Sequence, residues 1–159
     1  MADILVTYFS KTGHTEAMAE CIAKAAGEVE GANVEFRAVG DVTPDDLLDF
    51  DGIVMGSPVY YGTMAAPLKA LIDASVKHHG KLEGKVGGAF STSGVIGGGN
   101  ETTVLDIIAC LLVHGMIVKG VPKGPHYGPT CQGEPNEMAQ DRCEEYGRDV
   151  AELCVQLFG

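Results

Sequence analysis

Apolar runs and helical stripes alternate along this chain from one end to the other. Asp3–Phe9 (DILVTYF) is a continuous apolar run, the pattern of a strand covered on both faces. From about Gly13 to Gly27, the residues Met18, Cys21, Ile22, Ala25 and Ala26 fall on one stripe and predict an amphipathic helix. Asn33–Val39 alternates as a second strand. Thr43-Pro44-Asp45-Asp46 predicts a helix start, with Thr43 as cap, Pro44 at the first position and carboxylates in the first turn. Gly52–Gly56 is a third strand, and Ala65–Val76 a helix with Leu68, Leu71, Ile72 and Val76 facing inward. Lys85–Phe90 is a fourth strand. A helix over about Glu101–Val113 follows and stops at His114–Gly115 in the way glycine ends helices. Met116–Val121 is a fifth strand, and a Gly/Pro-rich loop, Pro122–Pro135, leads to a last helix. There Cys143, Tyr146, Val150, Leu153 and Leu157 keep alternate spacings of three and four.

Five strands alternating with five helices imply a parallel sheet with right-handed crossovers and helices on both faces. No internal repeat or linker interrupts residues 1–159, so one domain is expected. Ligands of such sheets bind at the carboxyl ends of the strands, where strand order reverses. The polar and glycine-rich segments of this chain collect there: Ser10–Thr15, Ser57–Met64 and Ser91–Asn100 follow strands one, three and four.

Composition narrows the partners. With 159 residues, 45% hydrophobic and 21% charged, the chain has the make-up of a globular domain. Its formal net charge is -11, from 11 Lys+Arg and 22 Asp+Glu. Such a surface repels a phosphate backbone and an anionic leaflet alike, which excludes nucleic acid and membrane as expected partners. No apolar run approaches the roughly 20 residues of a membrane span, and no basic segment followed by a long apolar one marks a secretory leader. The five cysteines are odd in number and form no CxxC, which reads as reduced thiols in a cytoplasmic protein and not as a metal site.

The three loops carry the candidate chemistry. Ser10-Lys11-Thr12-Gly13-His14-Thr15 opens directly onto a helix, whose first-turn N–H groups and dipole suit a single phosphate. It is neither a Walker A nor a GxGxxG loop, and a well-capped helix without a ligand is its plain alternative. Pro58-Val59-Tyr60-Tyr61-Gly62 places two adjacent aromatics on a turn; adjacent side chains diverge, so at most one stacks on a flat heterocycle. Ser91-Thr92-Ser93-Gly94, continuing through Gly97 and Gly98, offers hydroxyls and bare backbone to a ligand's polar edge. Together they describe a pocket for a planar mononucleotide. No side chain among them is expected to act as a catalytic nucleophile.

The S-x-T-G-x-T loop and the order of elements resemble the flavodoxin-like FMN proteins. The GSPVYYGTM, STSGVIGGGNE, LLVHGMIV and HYGPT segments are similar, in order, to the WrbA-type NAD(P)H:quinone oxidoreductases. The resemblance covers essentially the whole chain. It implies a three-layer α/β/α sandwich with a five-stranded parallel sheet in the order 2-1-3-4-5. It further implies FMN as cofactor, with Ser10–Thr15 on its phosphate, Val59, Tyr60 and Tyr61 beside the flavin, Ser91–Gly98 along the ring's polar edge, and His114 reaching the cofactor. NAD(P)H and a quinone-like acceptor are the implied small-molecule partners, and a dimer or tetramer the implied assembly. Two departures stand out. The chain has no tryptophan where that branch usually places one; the shorter stretch here holds Lys77, His78 and His79. Thr12 and Thr15 are instead similar to electron-carrying flavodoxins. The rival expectation is therefore a one-electron carrier that docks to redox proteins, with Gly62 as a backbone hinge. His126 is a candidate substrate contact.

Overall fold

The computed structural model describes residues 1–159. Its elements in chain order are β1 (Ala2–Tyr8), α1 (His14–Gly27), β2 (Ala32–Ala38), β3 (Gly52–Tyr60), β4 (Thr63–Met64), α2 (Ala66–Ala74), β5 (Val86–Ser93), α3 (Asn100–Val113), β6 (Ile117–Val118), β7 (Thr130–Gln132) and α4 (Glu137–Phe158). The main path of the sheet runs β2-β1-β3-β5-β6, all parallel. Setting aside the short β4, which pairs antiparallel with β3, this is the expected order 2-1-3-4-5. Strand order reverses between β1 and β3.

The unbroken apolar strands are explained by two cores, one on each face of the sheet. Ile4 and Val6 of β1 pack with Met18 and Ile22 of α1 and with Cys143, Tyr146 and Val150 of α4. Leu5, one residue out of phase, joins Ile53 and Met55 of β3, Leu68 of α2 and Ile107 and Leu111 of α3. A period of two thus divides one apolar run between two layers. Gly56 leaves the space that the Phe90 ring fills; a Cβ there would overlap the ring. Tyr146 crosses from α4 to the central sheet, where its hydroxyl accepts from Ala89 N at 3.0 Å.

Three expectations are corrected. The helix expected after Thr43 is a single 3-10 turn, Asp46–Asp49. Thr43 N and Oγ1 both donate to Asp46 Oδ2 at 2.6 Å, closing the turn locally. Leu47 is buried while Leu48 and Asp49 are exposed, so no longer apolar stripe exists to hold a helix on the sheet. The protein consequently has four α-helices and not five. The fifth strand is split: Met116–Val121 shrinks to Ile117–Val118, and a second piece, Thr130–Gln132, pairs with the far end of β5. Gly120 and Pro122 interrupt the first piece, and the chain rejoins the sheet after Pro129. Finally, strands three and four run longer than expected. Ser57–Tyr60 belongs to β3 because Val59 and Tyr60 pair with Met64 and Thr63, and Ser91–Ser93 belongs to β5 because β7 pairs with them.

Candidate functional site

The three loops meet at the carboxyl-terminal edge of the sheet, at the reversal between β1 and β3. Each touches the other two. Thr15 and Thr92 hydroxyls hydrogen-bond at 2.8 Å, joining the first loop to the end of β5. The Phe9 ring meets Tyr60 edge-on, with centroids 6.0 Å apart, joining the first loop to the aromatic turn. A Cβ on Gly99 would lie 3.2 Å from Val59 and 3.5 Å from Gly62, so the glycine-rich loop lies against the hairpin.

The first loop is built to receive an anion. Gly13 adopts φ 94° as the N-cap of α1 and donates its N–H to Ser10 Oγ at 3.1 Å. The amides of Lys11, Thr12, His14, Thr15 and Glu16 have no acceptor in the protein, and no side chain caps the helix. Ser10 accepts from Gly13 and so keeps its own hydrogen free to donate; Thr12 is exposed and without a partner. These amides and hydroxyls, at the positive end of the helix dipole, form a phosphate cradle. Thr15 plays another part than expected. It is buried and its hydroxyl holds Thr92, which makes it a brace between loops. Below the loop, Tyr8 donates its hydroxyl to Glu16 Oε1 at 2.8 Å. Burial and this bond push the Tyr8 pKa up to about 12.

The aromatic turn is a β-hairpin. Tyr61 (φ 49°) and Gly62 (φ 83°) both sit in the left-handed region, as a two-residue turn between paired strands requires. Tyr60 leans on Phe9, while Tyr61 is fully exposed and free to offer its face. Pro58 and Val59 carry the strand into this turn, and Ser57 fixes it by accepting from Ala65 N at 2.8 Å.

The third loop combines spent hydroxyls with open backbone. Ser91 donates to Asn100 O at 2.8 Å and Ser93 to Val95 O at 2.9 Å, so both brace the loop from within. The amides of Gly94, Val95, Ile96 and Gly97 have no protein acceptor, whereas Gly98 N is turned inward onto Val95 O at 3.1 Å. Backbone, not the hydroxyls, is what this loop presents.

His114 does not join them. It caps the C-terminal end of α3, beside β6, whose Ile117 pairs with Val86 at the start of β5. That is the opposite edge of the sheet, a strand length of roughly 20 Å away. Ser75 Oγ donates to Ile72 O at 2.6 Å and therefore accepts from His114 Nε2 at 2.8 Å. The proton sits on Nε2, and Nδ1 is buried without a partner. Burial, with the neighbouring His79, lowers the His114 pKa and keeps the ring neutral. The tether is a helix-capping signal that also matches a ligand motif, and sequence spacing does not separate the two. His78 pairs with Asp45 at 2.6 Å, and His126 braces its own loop through Val121 O at 2.8 Å. Sequence reasoning missed Phe9 as the contact to Tyr60, and Asn100, which donates to Cys131 O at 3.0 Å and anchors β7 to the site. The apolar run reaching Phe9 was the available signal for the first; nothing marked the second.

Residues 43–122 match the family described as NADPH-dependent FMN reductase. A flavodoxin of Aquifex aeolicus is 36% identical over 99% of this chain and 89% of its own length. An NAD(P)H dehydrogenase (quinone) of Sinorhizobium fredii is 34% identical over 99% of each. Among solved structures, a WrbA-like flavodoxin of Agrobacterium tumefaciens superposes with a TM-score of 0.83 at 27% identity, covering 98% of this chain and 99% of that one. The chain belongs to the flavodoxin-like FMN oxidoreductases of the WrbA type.

Proposed function

We propose that this protein passes electrons from NAD(P)H to quinones or similar small acceptors on FMN held at the three-loop site. The observation that carries this reading is the set of acceptor-free amides around Gly13, flanked by the Ser10 and Thr12 hydroxyls, which matches one terminal phosphate. FMN, when bound, supplies the redox chemistry. The chain's own residues hold and orient it. Ser10, Thr12 and the first-turn amides of α1 bind the phosphate, with Lys11 and His14 in the same turn. Val59 and Tyr60 form the wall beside the ring system, Tyr61 provides an exposed aromatic face, and the amides of Gly94–Gly97 donate to the ring's polar edge. Donor and acceptor share one open face in turn, and no protein nucleophile is needed. Reconstitution with FMN followed by NADH-dependent benzoquinone reduction tests the proposal. Turnover well above that of free FMN is expected, and a rate no greater than free FMN overturns it.

A second reading is favoured by the net charge of -11 and by the 36% identity to a flavodoxin: a one-electron carrier whose acidic surface steers it to basic redox proteins. A reductive titration separates the two. Two well-spaced one-electron steps favour the carrier, and a single two-electron step favours the quinone reductase.

A further inference from the structure

The α1–α4 contact brings two cysteines together on the face of the sheet away from α2 and α3. Gly147 of α4 lies directly against α1, where a Cβ would collide with Ile22 O and stand 3.2 Å from Ala26 N. One turn earlier on α4 is Cys143, which is wholly buried; beside Ile22 on α1 is Cys21, which is partly exposed. Cys21 Sγ donates to Gln140 O at 3.4 Å, on the same turn of α4, and its side chain packs against the buried cluster that contains Cys143. The other three cysteines fit the plain role of small hydrophobes packed into or against the cores. Cys154 is buried beneath β3, Cys131 is buried with its thiol turned onto backbone oxygens, and Cys110 lies on α3 in the other core.

We propose that Cys21 and Cys143 form a peroxide-responsive thiol pair, Cys21 attacking and Cys143 resolving, that closes a reversible disulfide between α1 and α4. The Cys21 thiolate attacks one oxygen of hydrogen peroxide, the O–O bond breaks, and a sulfenic acid and hydroxide, protonated to water, result. The Cys143 sulfur then displaces that hydroxyl as water, losing its proton and forming the S–S bond. Two thiols are oxidised and one peroxide is reduced to two waters. A dithiol reductant reverses the reaction. The surroundings assign the roles. Cys21 is the partly exposed member, open to peroxide and with its pKa lowered by the neighbouring Cys143, whereas Cys143 is wholly buried and is held as the thiol by Cys21 and by burial. At Cys110, equally half-exposed, burial disfavours ionisation. A low-pKa accessible thiol beside a buried partner is the arrangement of a redox-sensing pair. Its bond would lock the helix that presents the phosphate loop, since Cys21 lies about two turns beyond His14.

Peptide mass mapping of the FMN-loaded protein, without reduction and after stoichiometric hydrogen peroxide and alkylation, tests this. A cross-link joining the Cys21 and Cys143 peptides, with loss of two free thiols, is expected. Before oxidation, Cys21 should alkylate about tenfold faster than Cys110 at neutral pH. In C143S, or C143A should the serine perturb the core, oxidised Cys21 should be trapped by dimedone as the sulfenic acid. An unchanged thiol count, a cross-link between any other pair, or alkylation of Cys21 no faster than Cys110 overturns the proposal. The wild-type measurement requires no variant to fold.

Discussion

The two edges of the sheet are built on opposite principles. At the amino-terminal edge, polar groups pair within the protein, the buried His114 Nδ1 excepted. Asp51 N donates to Asp3 O at 2.7 Å while Asp3 N donates to Asp51 Oδ2 at 2.9 Å, and Val86 N reaches Asp51 O at 2.8 Å. Lys85 Nζ donates to the carbonyls of Leu48 and Phe50. Helix α3 ends with Gly115 N on Leu112 O at 2.9 Å and Met116 N on Leu111 O at 3.2 Å, satisfying its last carbonyls. At the carboxyl-terminal edge the first turn of α1 and the glycine-rich loop leave their amides open. The difference separates stability from binding. One edge uses its hydrogen-bonding capacity to close the fold, and the other keeps donors in reserve for a ligand, because a helix N-terminus with solvated amides costs little until an anion arrives.

Paired substitutions sharpen this contrast. Ser10→Ala at the open edge removes a donor to the phosphate and should weaken FMN binding about 10- to 100-fold by titration calorimetry, the worth of a hydrogen bond to a charged group at about 1.5–3 kcal/mol. Melting of the FMN-free protein should move little, since the lost bond from Gly13 N to Ser10 Oγ is partly exposed. Ser75→Ala at the closed edge should do the reverse. It leaves His114 Nε2 without its acceptor and should cost about 1–2 kcal/mol in denaturant unfolding with FMN affinity unchanged. Equal effects of both variants on FMN affinity would erase the distinction.

The same histidine predicts a smaller, pH-dependent effect. Its pKa is lowered in the folded state from the ordinary 6.5, so the unfolded chain binds the proton more readily. Its contribution is present above 6.5 and lost as pH falls from there toward the folded value. The wild-type unfolding free energy should therefore decline more steeply below pH 6.5 than that of His114→Gln; parallel profiles would refute this. Asp45→Asn should have the least effect. The pairs of exposed Asp45 with Lys77 and His78 are screened by water and salt, so the denaturant midpoint of this variant should match the wild type.

Much of the fold was legible because the signals were local or periodic. The Asp3–Phe9 run, the Met18–Ile22 stripe and the Gly115 stop each carry their element in a few adjacent residues, and each element is where it was expected. The loops Ser10–Thr15, Tyr60–Gly62 and Gly94–Gly98 were legible as a group, from their positions after parallel strands. The split fifth strand was not. Whether Thr130–Gln132 joins the sheet depends on the free edge of β5 at Ser91–Ser93, distant in sequence. The 3-10 turn at Asp46 was also hidden, since capping residues mark a start but not whether a buried stripe follows.

By itself, the sequence determined the alternation of strands and helices, the side of the sheet on which donors collect, and the glycine-hinged entry to α1, because these depend on neighbours within a turn or a strand. Tertiary structure alone decided which hydroxyls remain free. Thr15 turns to Thr92, Ser91 and Ser93 turn inward, and only Ser10 and Thr12 still face outward with a hydrogen to give. It also sent His114 to the far edge and set Cys21 against the turn of α4 that carries Cys143. A side chain's partner is fixed by what the fold brings within about 3 Å of it, and that distance is not written in the spacing of residues along the chain.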